Sequence, residues 1–440
     1  MNNDFLVSIY IYFKLIIMDL TGILMLSFFW GRLVWFFLSL TFAISLSYPS
    51  GYNIGASLIF ISTVSILFFK NNQERLSFQD KKIIFVFLAY AIYAFFSVYL
   101  DGWHIRELDR PSRFLLVIPV LILLIKVQGN VKWLWYGVII GAISACALAI
   151  YEKIFLGVSR ASGSENAIMF GNTAMLMGMM CFASCFYFLK RQNSLWLVLS
   201  LLGGVAGIIA SILSGTRGGW VALPLICFFI LWNSRDLIGK KNIIVVALVA
   251  LGLLVAAISI PETGVQNRIS SAVSNVSHYV SGENKNTSVG LRFEMWKAAI
   301  EMFKDSPFFG VGEYASHDFK KELVEQGLII PEAVKFSHAH NEYFNALGLM
   351  GIFGFISLMA LYLIPLKLFL HKMEMYKNNW NIRSYAMAGA LIPMCYMDFA
   401  LTQSMFSHNI GVIMYAFPIV YCWAAVRWAE REELAKVFET

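Results

Sequence analysis

The feature that most constrains this chain is the recurrence of apolar runs, most of them near the length of a membrane span, between residues 29 and 427. A helix needs about 20 mostly apolar residues to cross the hydrocarbon core of a bilayer, and there it must satisfy its own backbone N–H and C=O groups. Runs lie near 29–48, 51–70, 82–100, 113–128, 131–151, 166–189, 195–214, 217–233, 242–261, 341–369, 383–402 and 408–427. The pattern predicts an all-α integral membrane protein of about twelve transmembrane helices. Residues 4–28 are also apolar, but Lys14 and Asp19 interrupt them, and they read as interfacial or as a start-site extension. A cleaved export signal does not account for runs that recur along the whole length. Charged residues make up only 14% of the sequence, against about 25% in an ordinary soluble domain.

Charge gives the runs a direction. With the N-terminus inside, the inner connections carry Lys70, Arg75, Lys81 and Lys82; Lys126 and Lys132; Lys190 and Arg191; Arg235, Lys240 and Lys241; Lys367, Lys372, Lys377 and Arg383; and Arg427, Arg431 and Lys436. The short outer connections are poorer, and 49–50 and 403–407 hold no Lys or Arg. Basic residues collect in cytoplasmic loops, so both termini are expected in the cytoplasm. The net charge of +7 follows from this arrangement and needs no nucleic-acid partner. All six cysteines lie inside apolar runs, which predicts neither a disulfide framework nor a thiolate metal site.

One connection differs in kind. Residues 262–340 form a long outer segment of mixed charge, far beyond the ~12–15 residues above which loops are usually functional or disordered. Within it "RFEMWKAAIEMFKDSPFFGVG" puts Phe293, Trp296, Ile300 and Phe303 on one helical face, with Pro307 and Gly310 ending the run. That predicts an amphipathic helix, whereas "SGENKNTSVG" reads as a flexible turn. The chain divides into N-terminal spans (1–261), the loop (262–340), and C-terminal spans with a tail (341–440), in one integrated bundle.

Three polar features converge on the outer side. Arg217 in "SGTRGGW" is costly in lipid without a partner, and its glycine neighbours let backbone approach whatever it holds. It reads either as an anion site or as an arginine snorkelling at a helix end. Arg292, in "SVGLRFEMW", stands at the start of the amphipathic helix, where its charge opposes the helix dipole. A phosphate ligand would explain it, as would simple solvation. In "FSHAHNEYFNALGLMGIFGF", His340 suits proton transfer from a hydroxyl near neutral pH, or a capping role. His338 makes an H-x-H pair with it, but no carboxylate or further histidine follows at helical spacing, and no metal is expected. Two arginines and a histidine on one membrane face suggest a diphosphate clamp beside a general base.

At "SGTRGGW", "LRFEMWKAAIEMFKDSPFFGVG" and "HAHNEYFNALGLMGIFGF" the sequence resembles the bacterial O-antigen ligase and polymerase superfamily in motif order, spacing and the long loop before the third motif. A further stretch, "RELDRPSRFLLVIPVL", looks more like the ligases. The resemblance implies a GT-C-like glycosyltransferase in the bacterial inner membrane with its active site facing the periplasm. It implies transfer of glycan from undecaprenyl diphosphate to a sugar hydroxyl of lipid A–core, by an inverting mechanism with neither metal nor other cofactor. Arg217 and Arg292 would hold the diphosphate, and His340 would be the base. Secondary candidates near the same level are His338, Asn341, Arg110, Arg113 and Asp398. Two alternatives remain open: a polymerase using the same donor, and a secondary transporter with Arg217 and Asp398 on its pathway. Against transport, the sequence has no inverted repeat with matching broken helices, and the loop 262–340 would be unexplained.

Overall fold

A computed structural model describes residues 29–67, 75–216, 218–239, 241–245 and 265–439. Among them every regular element is helical: α1 (Phe29–Ala43), α2 (Gly51–Ser62), α3 (Phe78–Leu100), α4 (Asp109–Lys126), α5 (Trp133–Ile154), α6 (Ala167–Lys190), α7 (Ser194–Leu213), α8 (Leu223–Ile238), α9 (Val265–Val280), α10 (Ser288–Asp305), α11 (Ser316–Glu325), α12 (Glu342–Met375), α13 (Trp380–Phe399) and α14 (Asn409–Glu439), with short 3-10 turns between. Among the described residues seven helices are long and apolar enough to cross a membrane: α3, α5, α6, α7, α8 with the turn before it, α12 and α14. The described residues are those of an all-helical membrane protein.

Four of the other expected runs are helical but shorter or more polar. α1 is short, and α2 passes into a 3-10 turn at Thr63–Leu67. α4 begins at Asp109 and takes Arg110 and Arg113 into its first turns, while α13 carries Arg383 and Asp398. Residues 4–28, and the run near 242–261 beyond residue 245, lie outside the described residues.

The packing explains which helices face lipid. α6 and α14 are apolar and buried on nearly all sides, the signature of helices inside a bundle. On α7 the exposed Leu195, Val198, Leu202, Val205, Ile209 and Ile212 make a stripe at helical spacing. Its opposite face is Ser200, Gly203, Gly204, Gly207 and Ser211, all buried. There a Cβ on Gly207 would lie 2.6 Å from Gly178 Cα of α6, so small residues let the two backbones close up.

Connections expected on the same side meet one another. Arg113 reaches Asn53, Asp101 accepts from the backbone N–H groups of Tyr314 and Ala315, and His340 reaches Gln403. At the other end Arg427 pairs with Asp80 and Glu430, Lys372 pairs with Glu430, and Arg191 reaches Asn381. Asp80, Lys372 and Glu430 are buried there, and each is paired, which is what a low-dielectric setting requires.

Between the two halves, α10 forms where the sequence predicts a helix, but it buries a different face. Glu294, Met295, Ala298, Ala299 and Met302 are inward, while Ile300 is exposed and Phe293 and Phe303 are only half-buried. The reason is close packing on α12: Gly348 lies against Ala299, where a Cβ would meet Ala299 Cα at 3.1 Å. Small residues win the contact, and the aromatic residues flank it.

α12 is broken at Gly351, which has φ 65° and ψ −165°. The stretch 307–312 fills the break. Pro307 O accepts from Ile352 N at 2.8 Å, and Val311 N and Gly312 N donate to Gly348 O and Leu349 O at 3.1 and 3.0 Å. Thus the backbone groups freed by the break are met by protein, as an apolar setting demands. Gly310, with φ 75°, faces the break from the other side.

Candidate functional site

The site is built around residues 336–342, which join the loop region to α12. α12 starts at Glu342 because Asn341 caps it: Asn341 Oδ1 accepts from Tyr343 N at 3.0 Å and Phe344 N at 3.1 Å, while its Nδ2 donates to Leu401 O at 3.0 Å. Glu342 in turn accepts from Phe406 N at 2.9 Å, and its own N–H donates to Ala400 O. The start of α12 is thereby tied to the connection between α13 and α14.

The preceding residues are pinned atom by atom. Trp296 Nε1 of α10 donates to Ala339 O at 3.0 Å, and Asn345 Oδ1 accepts from Ala339 N at 3.2 Å. Lys320 Nζ of α11 donates to Phe336 O at 2.7 Å. These bonds hold His340 in the left-handed region, φ 48°, a conformation uncommon outside glycine. Arg292 stands one helical turn before Trp296, so the bond from Trp296 to Ala339 carries Arg292 toward His340. Its charge reaches the His340 ring.

Gln403 is buried at 1% exposure and lies between two imidazoles. His340 Nδ1 is 2.6 Å from Gln403 Oε1, and Gln403 Nε2 is 3.0 Å from His408 Nε2. The His338 ring packs edge-on against both histidines, with ring centres 4.4 Å from His340 and 5.4 Å from His408. His338 Nδ1 also accepts from the backbone N–H of His340 at 3.4 Å. Burial, reinforced by the charges of His340, His408, Arg110 and Lys320, lowers the His338 ring from its usual 6.5 to about 3. The His340 ring is also lowered, by burial and then by Arg292, with the Gln403 bond opposing. Both rings are therefore neutral at pH 7, the form that accepts a proton.

The other candidates have partners of their own. Arg110 makes a two-pronged ion pair with Glu313 at 2.7 and 2.8 Å and donates to Ser407 O at 3.2 Å, next to His408. Arg113 is held by Asp109 and Asn53. Asp398 Oδ1 accepts from Ala222 N at 2.8 Å at the entry to α8, while its Oδ2 is buried with no hydrogen-bond partner among the described residues. Arg217 lies outside the described residues. Beside this cluster an open cleft runs between α3, α4 and α12. Its polar end holds Glu107, Arg110, Glu313 and Glu342, and its depth is lined by residues such as Phe114 and Leu358.

The O-antigen ligase family matches residues 202–359, a segment that contains Arg217, Arg292 and His340. An uncharacterised protein of Haemophilus influenzae is 30% identical over 388 residues, covering 88% of this chain and 96% of that protein. An O-antigen ligase of Escherichia coli is 27% identical over 213 residues, 48% of each chain. The chain belongs to the O-antigen ligase superfamily. Membership makes it a membrane enzyme of the O-antigen ligase and polymerase type. The family match ends inside α12 and so leaves out Gln403 and His408. Neither residue is among the candidates read from the sequence, because nothing in the local sequence joins residue 403 to residue 340.

Proposed function

We propose that the chain is an O-antigen ligase that moves glycan from undecaprenyl diphosphate to a sugar hydroxyl of lipid A–core. The observation that carries this reading is that α10, which bears Arg292 one turn before Trp296, is bonded through Trp296 to Ala339 beside His340, inside the segment matched by the O-antigen ligase family. His340 Nε2 takes the proton of the acceptor hydroxyl, whose oxygen attacks the anomeric carbon from the side opposite the diphosphate. The bond to the diphosphate breaks, and that group leaves with the electron pair, so the anomeric centre inverts. Arg292, with Arg217, balances the charge that develops on the leaving group, an effect worth ~3–4 kcal/mol per donor in comparable sites. The step as written uses neither metal nor nucleotide.

On this reading the chain sits in the bacterial inner membrane with about twelve spans, residues 262–340 in the periplasm and both termini in the cytoplasm. The basic inner connections support that orientation. Asn341, Arg110 and Arg113 serve as scaffold, given their caps and ion pairs.

The test is a two-lipid reconstitution with chelator and without nucleotide. Purified protein is mixed with undecaprenyl-diphosphate glycan, with and without lipid A–core. Product that requires lipid A–core, and that is lost in His340→Ala and Arg292→Ala, is the expected result. Longer undecaprenyl-linked chains made without lipid A–core would instead identify a polymerase, and no transfer under either condition would refute both.

A further inference from the structure

We propose that Gln403 is a positioning residue that fixes the tautomer of His340, leaving its Nε2 bare to accept a proton. The inference rests on His340 being the base, as proposed above, and adds the group that makes it one. A carbonyl oxygen can only accept a hydrogen bond. Since Gln403 turns Oε1 to His340 Nδ1 at 2.6 Å, the ring proton sits on Nδ1, and the lone pair is on Nε2. Free imidazole in water has no such constraint, so an unheld ring would divide its population between the two forms.

The other end of the amide is bonded as well. Gln403 Nε2 carries two protons and donates to His408 Nε2 at 3.0 Å, which is therefore the bare nitrogen of a neutral ring. Reversing the amide would set its N–H groups against His340 Nδ1 and move the His340 proton to Nε2, abolishing the base. Burial of Gln403 at 1% exposure makes each lost bond costly, because no bulk water replaces it. The surrounding charges do not compete for the role. Arg292 from α10 acts on His340, while Arg110 from α4 and Lys320 from α11 act on His338, and all three are cations that disfavour a charged ring. No carboxylate stands behind His340 among the described residues whose charge acts on it. A neutral amide thus supplies orientation without raising basicity as far as an anion would.

The experiment uses the full chain with 15N-labelled histidine. Nitrogen shifts, assigned through single His338 and His408 substitutions, report which nitrogen of His340 carries the proton. The expected wild-type state is neutral with the proton on Nδ1, and Gln403→Leu releases the ring to a mixture. A proton on Nε2 in the wild type overturns the proposal. In the transfer assay Gln403→Leu lowers kcat about tenfold to a hundredfold, within what a general base contributes, and leaves donor KM unchanged. Gln403→Glu keeps an acceptor on Nδ1, so it retains transfer at pH 8 while its acid limb moves to higher pH. If Gln403→Leu and Gln403→Glu share the wild-type pH profile, Gln403 is only structural and the proposal fails. Should the wild type transfer nothing to either acceptor, the ligase reading falls, while the nitrogen shifts still decide the tautomer.

Discussion

Replacing Gly351 by alanine tests whether the break in α12 is a built-in joint between the loop region and the bundle. Two costs add. The backbone at φ 65° and ψ −165° belongs to a region that only glycine occupies freely, and forcing a side chain there costs about 1–3 kcal/mol. The new Cβ would also stand 2.4 Å from the carbonyl of Phe308, backbone that cannot swing aside, adding about 1–3 kcal/mol of overpacking. The sum is about 2–6 kcal/mol. Gly327 supplies the control. It has φ 70° at the end of α11, and a Cβ added there would have nothing within 4 Å, so Gly327→Ala should cost only the conformational part, about 1–2 kcal/mol. Both variants would be unfolded by SDS titration from mixed micelles, followed by tryptophan fluorescence. Gly351→Ala should lose at least ~1 kcal/mol more than Gly327→Ala. Because Gly310 faces the same contact, with its Cβ position 2.2 Å from Leu349 C, the double variant should cost less than the sum of its parts. Equal losses in Gly351→Ala and Gly327→Ala would refute the argument, since the tight contact would then carry no energy.

Two further outcomes follow from the site. Burial first, then the carboxylates of Glu313 and Asp101, raise the Glu107 carboxyl from 4.5 to about 7 against the opposing Arg110. The folded state then keeps a proton that the unfolded chain releases, so this stability is full below pH ~4.5 and is lost as pH rises through ~7. Glu107→Gln should accordingly raise Tm relative to wild type at pH 8 and change it little at pH 4.5, and a larger gain at low pH would contradict the sign. Trp296→Phe keeps the stack on Phe344 but removes the donor to Ala339 O, a bond worth about 0.5–1.5 kcal/mol. It should slow transfer about threefold to tenfold with little change in Tm, and an unaltered rate would mean that the bond does not position His340.

Much of the fold was legible because lipid imposes simple rules. A run such as 195–214 has the length of a span, and it is a helix over Ser194–Leu213. The His340 segment was legible only in part: the sequence offers capping as an alternative for His340, whereas the cap of α12 is its neighbour Asn341. The buried face of α10 was not. Aromatic spacing suggested Phe293 and Ile300, yet the decision fell to Gly348, more than forty residues away, which admits only small neighbours. The break at Gly351 was hidden for a similar reason: one glycine in an apolar stretch is compatible with a continuous helix until a second strand of backbone supplies the missing bonds. The partnership of His340 with Gln403 depends on how α12 and α13 pack, and no pattern within either stretch encodes it.

The burial of α14 has a consequence for how the protein is made. Tyr421 bonds Thr41 of α1, Trp423 bonds Asp80, Trp428 and Arg431 bond the carbonyls of Leu124 and Ile125, and Arg427 completes the pairing of Asp80. Every one of these partners is synthesised some 300 residues or more before α14 leaves the ribosome. Until then Asp80 lacks its arginine, and α1, α3 and α4 lack the helix that fills the space between them. The central packing of the bundle is therefore complete only once the last of the described helices is in place.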